Sequence, residues 1–190
     1  GLTHVIDGHV MYLGQNINPV AHELVKMGVA FVPQGRRVFT NLSVEENLEI
    51  GGFFLNDSSE VKRRIAEVYK LFPMLQDKRK EKSSSLSGGQ QQILAIARGL
   101  MVEPKLLLLD EPTLGLSPKA VKEVFTLIKK INEDRKMAIV VVEHNLKSLL
   151  PITNRVYVID HGKVAFHGTA ETLEEKNVLE KVYMGNWDGK

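Results

Sequence analysis

The chain has 190 residues, a length that suits one domain with its own buried core. Its hydrophobic content of 43% and charged content of 25% are ordinary for a globular protein, and a formal net charge of +2 gives no basis for a nucleic-acid-binding surface. It contains no cysteine, which excludes disulfides and cysteine–zinc sites. The longest apolar runs fall far short of the ~20 residues of a membrane-spanning helix, so any membrane role has to come through a partner.

The first part of the chain is predicted to alternate between strand and helix. Residues 9–13 predict a strand, and the pair Asn18-Pro19, a capping side chain before a proline, predicts the start of a helix. Residues 29–32 predict a short buried strand. We assign residues 1–34 to the core of the fold.

The middle of the chain is predicted to be mostly helical. Ser43 and Glu46 have capping-box spacing and predict the start of one helix. Apolar side chains recur on one face of a second predicted helix around residues 61–71. The basic run 78–82 predicts an exposed linker. We therefore assign residues 35–104 to a helical subdomain inserted into the core.

Strands return in the last part of the chain. Residues 105–110 predict a strand, and residues 121–131 carry the apolar stripe of an amphipathic helix. The continuous apolar run 138–142 is typical of a parallel strand covered on both faces, and residues 155–166 predict a hairpin. We assign residues 105–190 to the core. The alternation of strand and helix predicts an α/β fold in one domain.

Two adjacent carboxylates, Asp110 and Glu111, close one of these strands. Ligands of open α/β sheets bind at the carboxyl ends of the strands. Asp110 could hold Mg²⁺ there, since hard cations prefer oxygen ligands, and Glu111 could polarise an attacking water. Alone, the pair is equally well explained as the polar end of a strand.

A glycine-rich turn, Ser87-Gly88-Gly89-Gln90, opens a predicted apolar helix. Ser87 can cap that helix, and the glycines allow backbone amides to approach an anion closely. With the positive end of the helix dipole, the turn suits the terminal phosphate of a nucleotide. An ordinary capped helix explains the same residues when they are considered alone.

Two further polar residues, Gln34 and His144, each follow a predicted strand. The amide oxygen of Gln34 could reach a metal ion or a water, and His144 could donate a hydrogen bond to a terminal phosphate. A connecting loop accounts for either residue on its own. Arg36 and Arg37 beside Gln34 are either partner contacts or solvated loop arginines.

In chain order these features are Gln34, the turn 86–90, the pair Asp110-Glu111 and His144. This order resembles the Q-loop, the signature motif, the Walker B carboxylates with the catalytic glutamate, and the switch histidine of ATP-binding cassette (ABC) ATPases. The resemblance covers nearly the whole chain. It implies a P-loop NTPase core of the ABC type, with a parallel sheet and an inserted α-helical subdomain.

The resemblance also implies roles for individual residues, with ATP and Mg²⁺ as the bound groups. Asp110 and Gln34 would contact the metal, and Glu111 would act on the hydrolytic water. Gln34 and His144 would contact the γ-phosphate. Four residues would contact ATP held by the opposite subunit: Ser87, Gly88, Gly89 and Gln90.

Three stretches are more narrowly similar to the importer subunits for branched-chain amino acids: 32–39, 44–48 and 114–118. Importers for urea and other amides look similar there. The resemblance implies a transport-coupled ATPase that works by ATP-driven dimerisation with a second ATP-binding subunit. Its other partners would be transmembrane permease subunits, and nucleic acid would not be a partner. It would lie on the cytoplasmic face of the cell membrane.

The family's phosphate loop, G-x-x-x-x-G-K-[ST], is absent from these 190 residues. The chain starts at Gly1 without an initiator methionine and opens on a predicted strand, so we expect the N-terminal part of the core to precede it. We expect the 190 residues alone to be inactive. Two other functions stay open: a soluble, non-transport ABC ATPase, and a non-catalytic partner module that lends its signature turn to another subunit.

Overall fold

The computed structural model describes residues 5–55, 57–175 and 177–184. The chain divides into two compact units, Gly1–His144 and Asn145–Lys190. None of the helices within the described ranges combines the length and the apolar character that crossing a lipid bilayer requires. The division into core and helical subdomain stays a prediction.

The first unit opens with an antiparallel hairpin, β1 (Val10–Tyr12) and β2 (Gln15–Ile17), where the sequence predicts only one strand. The helix α1 (Ala21–Lys26) begins later than Asn18-Pro19 predicts. The backbone carbonyl of Asn18 accepts the N–H of Val20 at 2.8 Å, and no side chain caps the helix. The strand β3 (Val29–Val32) follows, as predicted.

The segment after β3 is helical, as predicted. Its elements are α2 (Val44–Gly51), α3 (Ser58–Leu71), α4 (Pro73–Asp77), a 3₁₀ turn (Ser83–Ser85) and α5 (Gly88–Leu100). The predicted capping box at α2 is confirmed, because Ser43 Oγ accepts the N–H of Glu46 at 3.1 Å and Glu46 Oε2 accepts the N–H of Ser43 at 2.7 Å. The sequence does not predict the short helix α4.

A parallel sheet of three strands forms the centre of the first unit. Its order is β3, β4 (Leu106–Asp110) and β5 (Ala138–Val142), with the helix α6 (Pro118–Arg135) between β4 and β5. The predicted apolar stripe of α6 is buried, and its members are Val121, Val124, Phe125, Ile128 and Ile131. Asp110, the last residue of β4, lies opposite Val142.

The two faces of this sheet differ. A methyl group placed on Gly99 of α5 would lie 3.1 Å from Val32 and 3.6 Å from Leu107, so α5 packs tightly on their face. On the other face, Phe31, Val140 and Val142 are 43%, 52% and 55% exposed. The prediction that the run 138–142 is covered on both faces is therefore wrong for the described residues. A continuous apolar run shows that both faces of a strand are suited to burial, but it does not show that other elements cover both faces.

The second unit contains the helix α7 (Leu146–Leu149), a 3₁₀ turn (Leu150–Ile152), the strands β6 (Val156–Asp160) and β7 (Lys163–Gly168), and the helices α8 (Ala170–Glu175) and α9 (Val178–Tyr183). The predicted hairpin is confirmed as the antiparallel pair β6–β7. Its small core contains Leu150, Phe166, Ala170, Leu173 and Val178.

Candidate active site

Three of the predicted site residues meet at the carboxyl end of the parallel sheet. Gln34 Nε2 donates a hydrogen bond to Glu111 Oε2 at 2.7 Å. His144 Nε2 lies 2.9 Å from Glu111 Oε1, within hydrogen-bonding distance, and the imidazole is the donor of this pair in the tautomer that carries the proton on Nε2. Residues that are 77 and 33 positions from Glu111 thus converge on its two carboxylate oxygens.

The sheet explains why these three side chains meet. Gln34 and His144 each lie two residues beyond the end of a parallel strand, and Glu111 lies one residue beyond the strand between them. The N–H of Glu111 donates to the carbonyl of Val142 at 2.8 Å, which continues the pairing of β4 and β5 by one residue. Parallel strands end at the same edge of a sheet, so these polar groups share that edge.

Glu111 combines an unusual backbone with a shielded side chain. Its φ is 43°, in the left-handed region that non-glycine residues seldom occupy. Its side chain is 18% exposed, whereas that of His144 is 80% exposed. An ionised carboxylate has about four acceptor positions, and the two neighbours use one on each oxygen. Glu111 therefore keeps acceptor positions for the proton of a water molecule.

Asp110 and Gln34 offer the oxygen atoms that Mg²⁺ prefers. Within the described residues, neither the carboxylate of Asp110 nor the amide oxygen of Gln34 accepts a hydrogen bond, and no group of three or more acidic, histidine or cysteine side chains is arranged to hold a metal ion by itself. Mg²⁺ is commonly held by one or two protein groups together with waters and substrate phosphates. The donor set fits that mode of binding.

The glycine turn is built from neighbouring residues. Ser87 Oγ accepts the N–H of Gln90 at 3.3 Å, and Gln90 Oε1 accepts the N–H of Ser87 at 2.9 Å, which completes a capping box at the start of α5. Gly88 and Gly89 lie in the first turn, where amides have no partner within the helix. These two amides and the helix dipole make the turn suitable for an anion. The side chain of Gln90 serves the cap in this structure.

Both glycines of the turn lie close to other side chains. A methyl group on Gly89 would lie 2.9 Å from the Cβ of Ala120 in α6, so α5 and α6 pack closely there. A methyl group on Gly88 would overlap Arg36 Nη1. Arg36 is two residues from Gln34, and its guanidinium lies against the glycine turn instead of extending into solvent, a placement that sequence reasoning left open.

Within the described part of the chain, no hydrogen bond or ion pair joins the turn 87–90 to Gln34, Glu111 or His144. The structure therefore joins the residues of the carboxylate site to one another and leaves the glycine turn outside that hydrogen-bonded group.

Sequence reasoning missed the role of Glu143. Its Oε1 accepts the backbone N–H of Thr113 at 2.9 Å and also the Thr113 hydroxyl, and its Oε2 accepts the N–H of His144 at 2.8 Å. The only signal in the sequence is an acidic residue directly before a histidine at a strand end. That pattern does not indicate which segment the carboxylate reaches.

The family profile described as ABC transporter matches residues 1–114. This chain belongs to the ABC transporter family. It is 42% identical over 186 residues to the probable branched-chain amino acid transport ATP-binding protein LivF of Archaeoglobus fulgidus, covering 97% of this chain and 78% of that protein. It is 36% identical, over 97% of this chain and 79% of the other, to the high-affinity branched-chain amino acid transport ATP-binding protein BraG of Pseudomonas aeruginosa.

A solved structure supports the same assignment. A dimeric ATP-binding cassette in a post-hydrolysis state with bound ADP and Pi superposes with a TM-score of 0.74 and 29% sequence identity, over 89% of this chain and 76% of that one. The predicted ABC ATPase fold is thus confirmed. The likeness also identifies this chain as an ATP-binding cassette, a family of ATPases, while the roles of individual residues stay predictions.

Proposed function

We propose that the full-length protein containing this chain hydrolyses ATP to power an ABC importer. The observation that carries the proposal is the hydrogen-bonded group of Gln34, Glu111 and His144 at the edge of the sheet. A carboxylate that keeps free acceptor positions between an amide and an imidazole can take the proton of a water that attacks the γ-phosphate.

Each residue has a proposed task in that reaction. Glu111 accepts the proton of the attacking water, and Gln34 holds one oxygen of that carboxylate in place. His144 keeps the other oxygen oriented and, when the phosphate is bound, can donate Nε2–H to it. Asp110 and the amide oxygen of Gln34 would hold Mg²⁺. When bound, this ion neutralises charge that develops on the phosphates.

The glycine turn has the proposed task of closing a second subunit's site. Ser87 and the amides of Gly88 and Gly89 would contact the γ-phosphate of ATP held by the opposite subunit, with Gln90 supporting the turn. The dimeric state of the solved relative supports this assignment. ATP would then join two subunits, and hydrolysis would release them.

A groove on the first unit is the proposed contact with the transmembrane permease subunits. It has a volume of about 290 Å³, and its lining includes Phe31, Phe39, Ile50 and Phe54 with the cations Arg37 and Arg98. Arg98 Nη1 is buried and has no hydrogen-bond partner among the described residues. We expect an apolar helix of the permease, ending in a carbonyl or carboxylate acceptor, to occupy this groove on the cytoplasmic face of the membrane.

Branched-chain amino acids are the proposed transported substrates, because the relatives LivF and BraG carry that function in their names. The 190 residues contain no G-x-x-x-x-G-K-[ST], whose amides and lysine hold the phosphates in P-loop enzymes. We therefore propose that this polypeptide alone binds ATP weakly and is inactive, and that activity belongs to the full-length protein.

The test is reconstitution of the full-length protein with its permease in lipid vesicles. We expect MgATP hydrolysis and ATP-dependent uptake of labelled leucine that exceeds uptake of labelled urea. Hydrolysis without any need for the permease would indicate a soluble, non-transport ATPase. Absence of hydrolysis, with nucleotide bound only between this protein and another ATPase subunit, would indicate a non-catalytic partner module.

A further inference from the structure

The carboxylate of Glu143 joins two segments that carry site residues. Its Oε1 accepts both the N–H and the hydroxyl of Thr113, and its Oε2 accepts the N–H of His144. Thr113 lies two residues after Glu111 and is only 6% exposed. A single side chain therefore connects the turn behind Glu111 to the backbone of His144.

This connection lies beyond the last backbone hydrogen bond between β4 and β5. The register of β4 and β5 ends with Asp110 opposite Val142, and the last backbone bond runs from the N–H of Glu111 to the carbonyl of Val142. Beyond it, β4 has ended and Glu111 has a left-handed backbone with a φ of 43°. The carboxylate of Glu143 then joins the two segments again, at Thr113.

A purely structural role would be to satisfy the buried polar groups of Thr113, since such groups need partners. That role uses only one oxygen of the carboxylate. The other oxygen holds the residue whose imidazole lies 2.9 Å from Glu111. The carboxylate of Glu143 therefore holds the segment that follows Glu111 with one oxygen and the backbone of His144 with the other.

We propose that Glu143 is a positioning residue that fixes the distance between the Glu111 carboxylate and the His144 imidazole during ATP hydrolysis. This inference rests on the proposed function. Without the bridge, the bond from the Glu111 N–H to Val142 still joins the two segments, but the link through Thr113 is lost, and the attacking water loses its orientation. A displacement of about 1 Å can lower a rate by about 10²-fold, so turnover is the quantity that should respond.

The experiment measures steady-state MgATP hydrolysis by the full-length protein with its permease in vesicles. Glu143→Ala is expected to lower kcat by about 10²-fold with little change in KM, because positioning acts in the transition state. Glu143→Gln keeps one acceptor oxygen and should lose less. Thr113→Val removes one hydroxyl and should also lower kcat. Thr113→Ser keeps that hydroxyl and should therefore retain the wild-type kcat.

Two measurements separate positioning from loss of folded protein. Glu123→Gln, an exposed carboxylate on α6, is the matched control and should leave kcat and KM unchanged. Adding Glu143→Ala to Glu111→Gln should lower the residual rate by less than about threefold, because residues that act as a unit are non-additive.

The outcomes distinguish this inference from the proposed function. No hydrolysis by the wild-type protein overturns both. Hydrolysis by the wild type with kcat unchanged in Glu143→Ala and Thr113→Val overturns the inference alone. The same conclusion follows if Glu143→Ala lowers the rate equally in the wild-type and Glu111→Gln backgrounds. A loss of kcat that disappears in the Glu111→Gln background supports it.

Discussion

The carboxylate site and the glycine turn are assembled in opposite ways. Glu111 depends on residues 77 and 33 positions away, which the strand order brings to one edge of the sheet. The turn depends on Ser87 and Gln90, which are three positions apart and bond each other. The geometry of the carboxylate site therefore depends on the three-stranded sheet, whereas the capping box of the glycine turn depends on the start of α5.

This contrast has a physical consequence. A capping box forms wherever its helix forms, so it should tolerate changes elsewhere in the fold. A group of side chains from three strand ends depends on register and on the turns that follow each strand. Small displacements should therefore reduce the chemistry of the carboxylate site before they alter the glycine turn.

The largest expected effect comes from Glu111→Gln. The carboxamide keeps the size of the side chain but removes the proposed proton acceptor, whose class of catalysis contributes about 10²–10⁴-fold to a rate. We expect kcat of the full-length protein to fall within that range while ATP still drives dimerisation, measured by light scattering. An unchanged kcat, with Glu123→Gln as the control, would remove Glu111 from the mechanism.

A smaller effect is expected at the glycine turn, and the chain supplies a matched control. Ser87 and Ser43 cap α5 and α2 with the same pair of reciprocal hydrogen bonds. Replacing either by alanine should lower the free energy of unfolding by about 1 kcal/mol, measured by urea denaturation. Only Ser87→Ala should also weaken ATP-driven dimerisation. Equal weakening by both variants would reduce Ser87 to a structural cap.

The smallest expected effect concerns pH, since the two capping boxes differ in one group. The backbone N–H of Ser43, and then its hydroxyl, hold the pKa of Glu46 below its usual value of 4.5. Because the pKa is lower in the folded state, the stabilisation is present above pH 4.5 and is lost as the pH falls through the lowered pKa. Gln90 of the other box does not titrate.

We therefore expect the amide signal of Ser43 to shift on acidification, measured by nuclear magnetic resonance, while that of Ser87 stays constant. Glu46→Gln should abolish the shift at Ser43. An equal shift at both serines would show that the whole fold responds to acid, and the contrast between the two boxes would then be lost.

Local patterns allowed much of the fold to be predicted. The capping box of α2, the cap at Ser87, the stripe on α6, the strands β3 to β5 and the hairpin β6–β7 all follow from residues within a few positions of one another. The start of α1 was mispredicted because Asn18 uses its backbone carbonyl, not its side chain, in the turn before the helix.

The contacts within the site were harder to predict. The ends of the three strands predict that one edge of the sheet carries Gln34, Glu111 and His144. The hydrogen bonds among these side chains also depend on the left-handed turn at Glu111. Glu143 and Thr113 are 30 positions apart in the sequence, and no periodic pattern predicts the hydrogen bonds between them. The open face of the sheet was missed because an apolar strand gives no information about its covering layer.

The backbone of Glu111 also has a consequence for protein engineering. A φ of 43° is strained for glutamate, by about 1–2 kcal/mol, whereas glycine adopts it without strain at an entropic cost of about 0.5–1 kcal/mol, so Glu111→Gly is expected to raise the free energy of unfolding by up to about 1 kcal/mol. A screen that rewards only survival at high temperature would favour that replacement and discard the proposed water-activating group. Libraries built from this scaffold should keep position 111 constant while other positions vary.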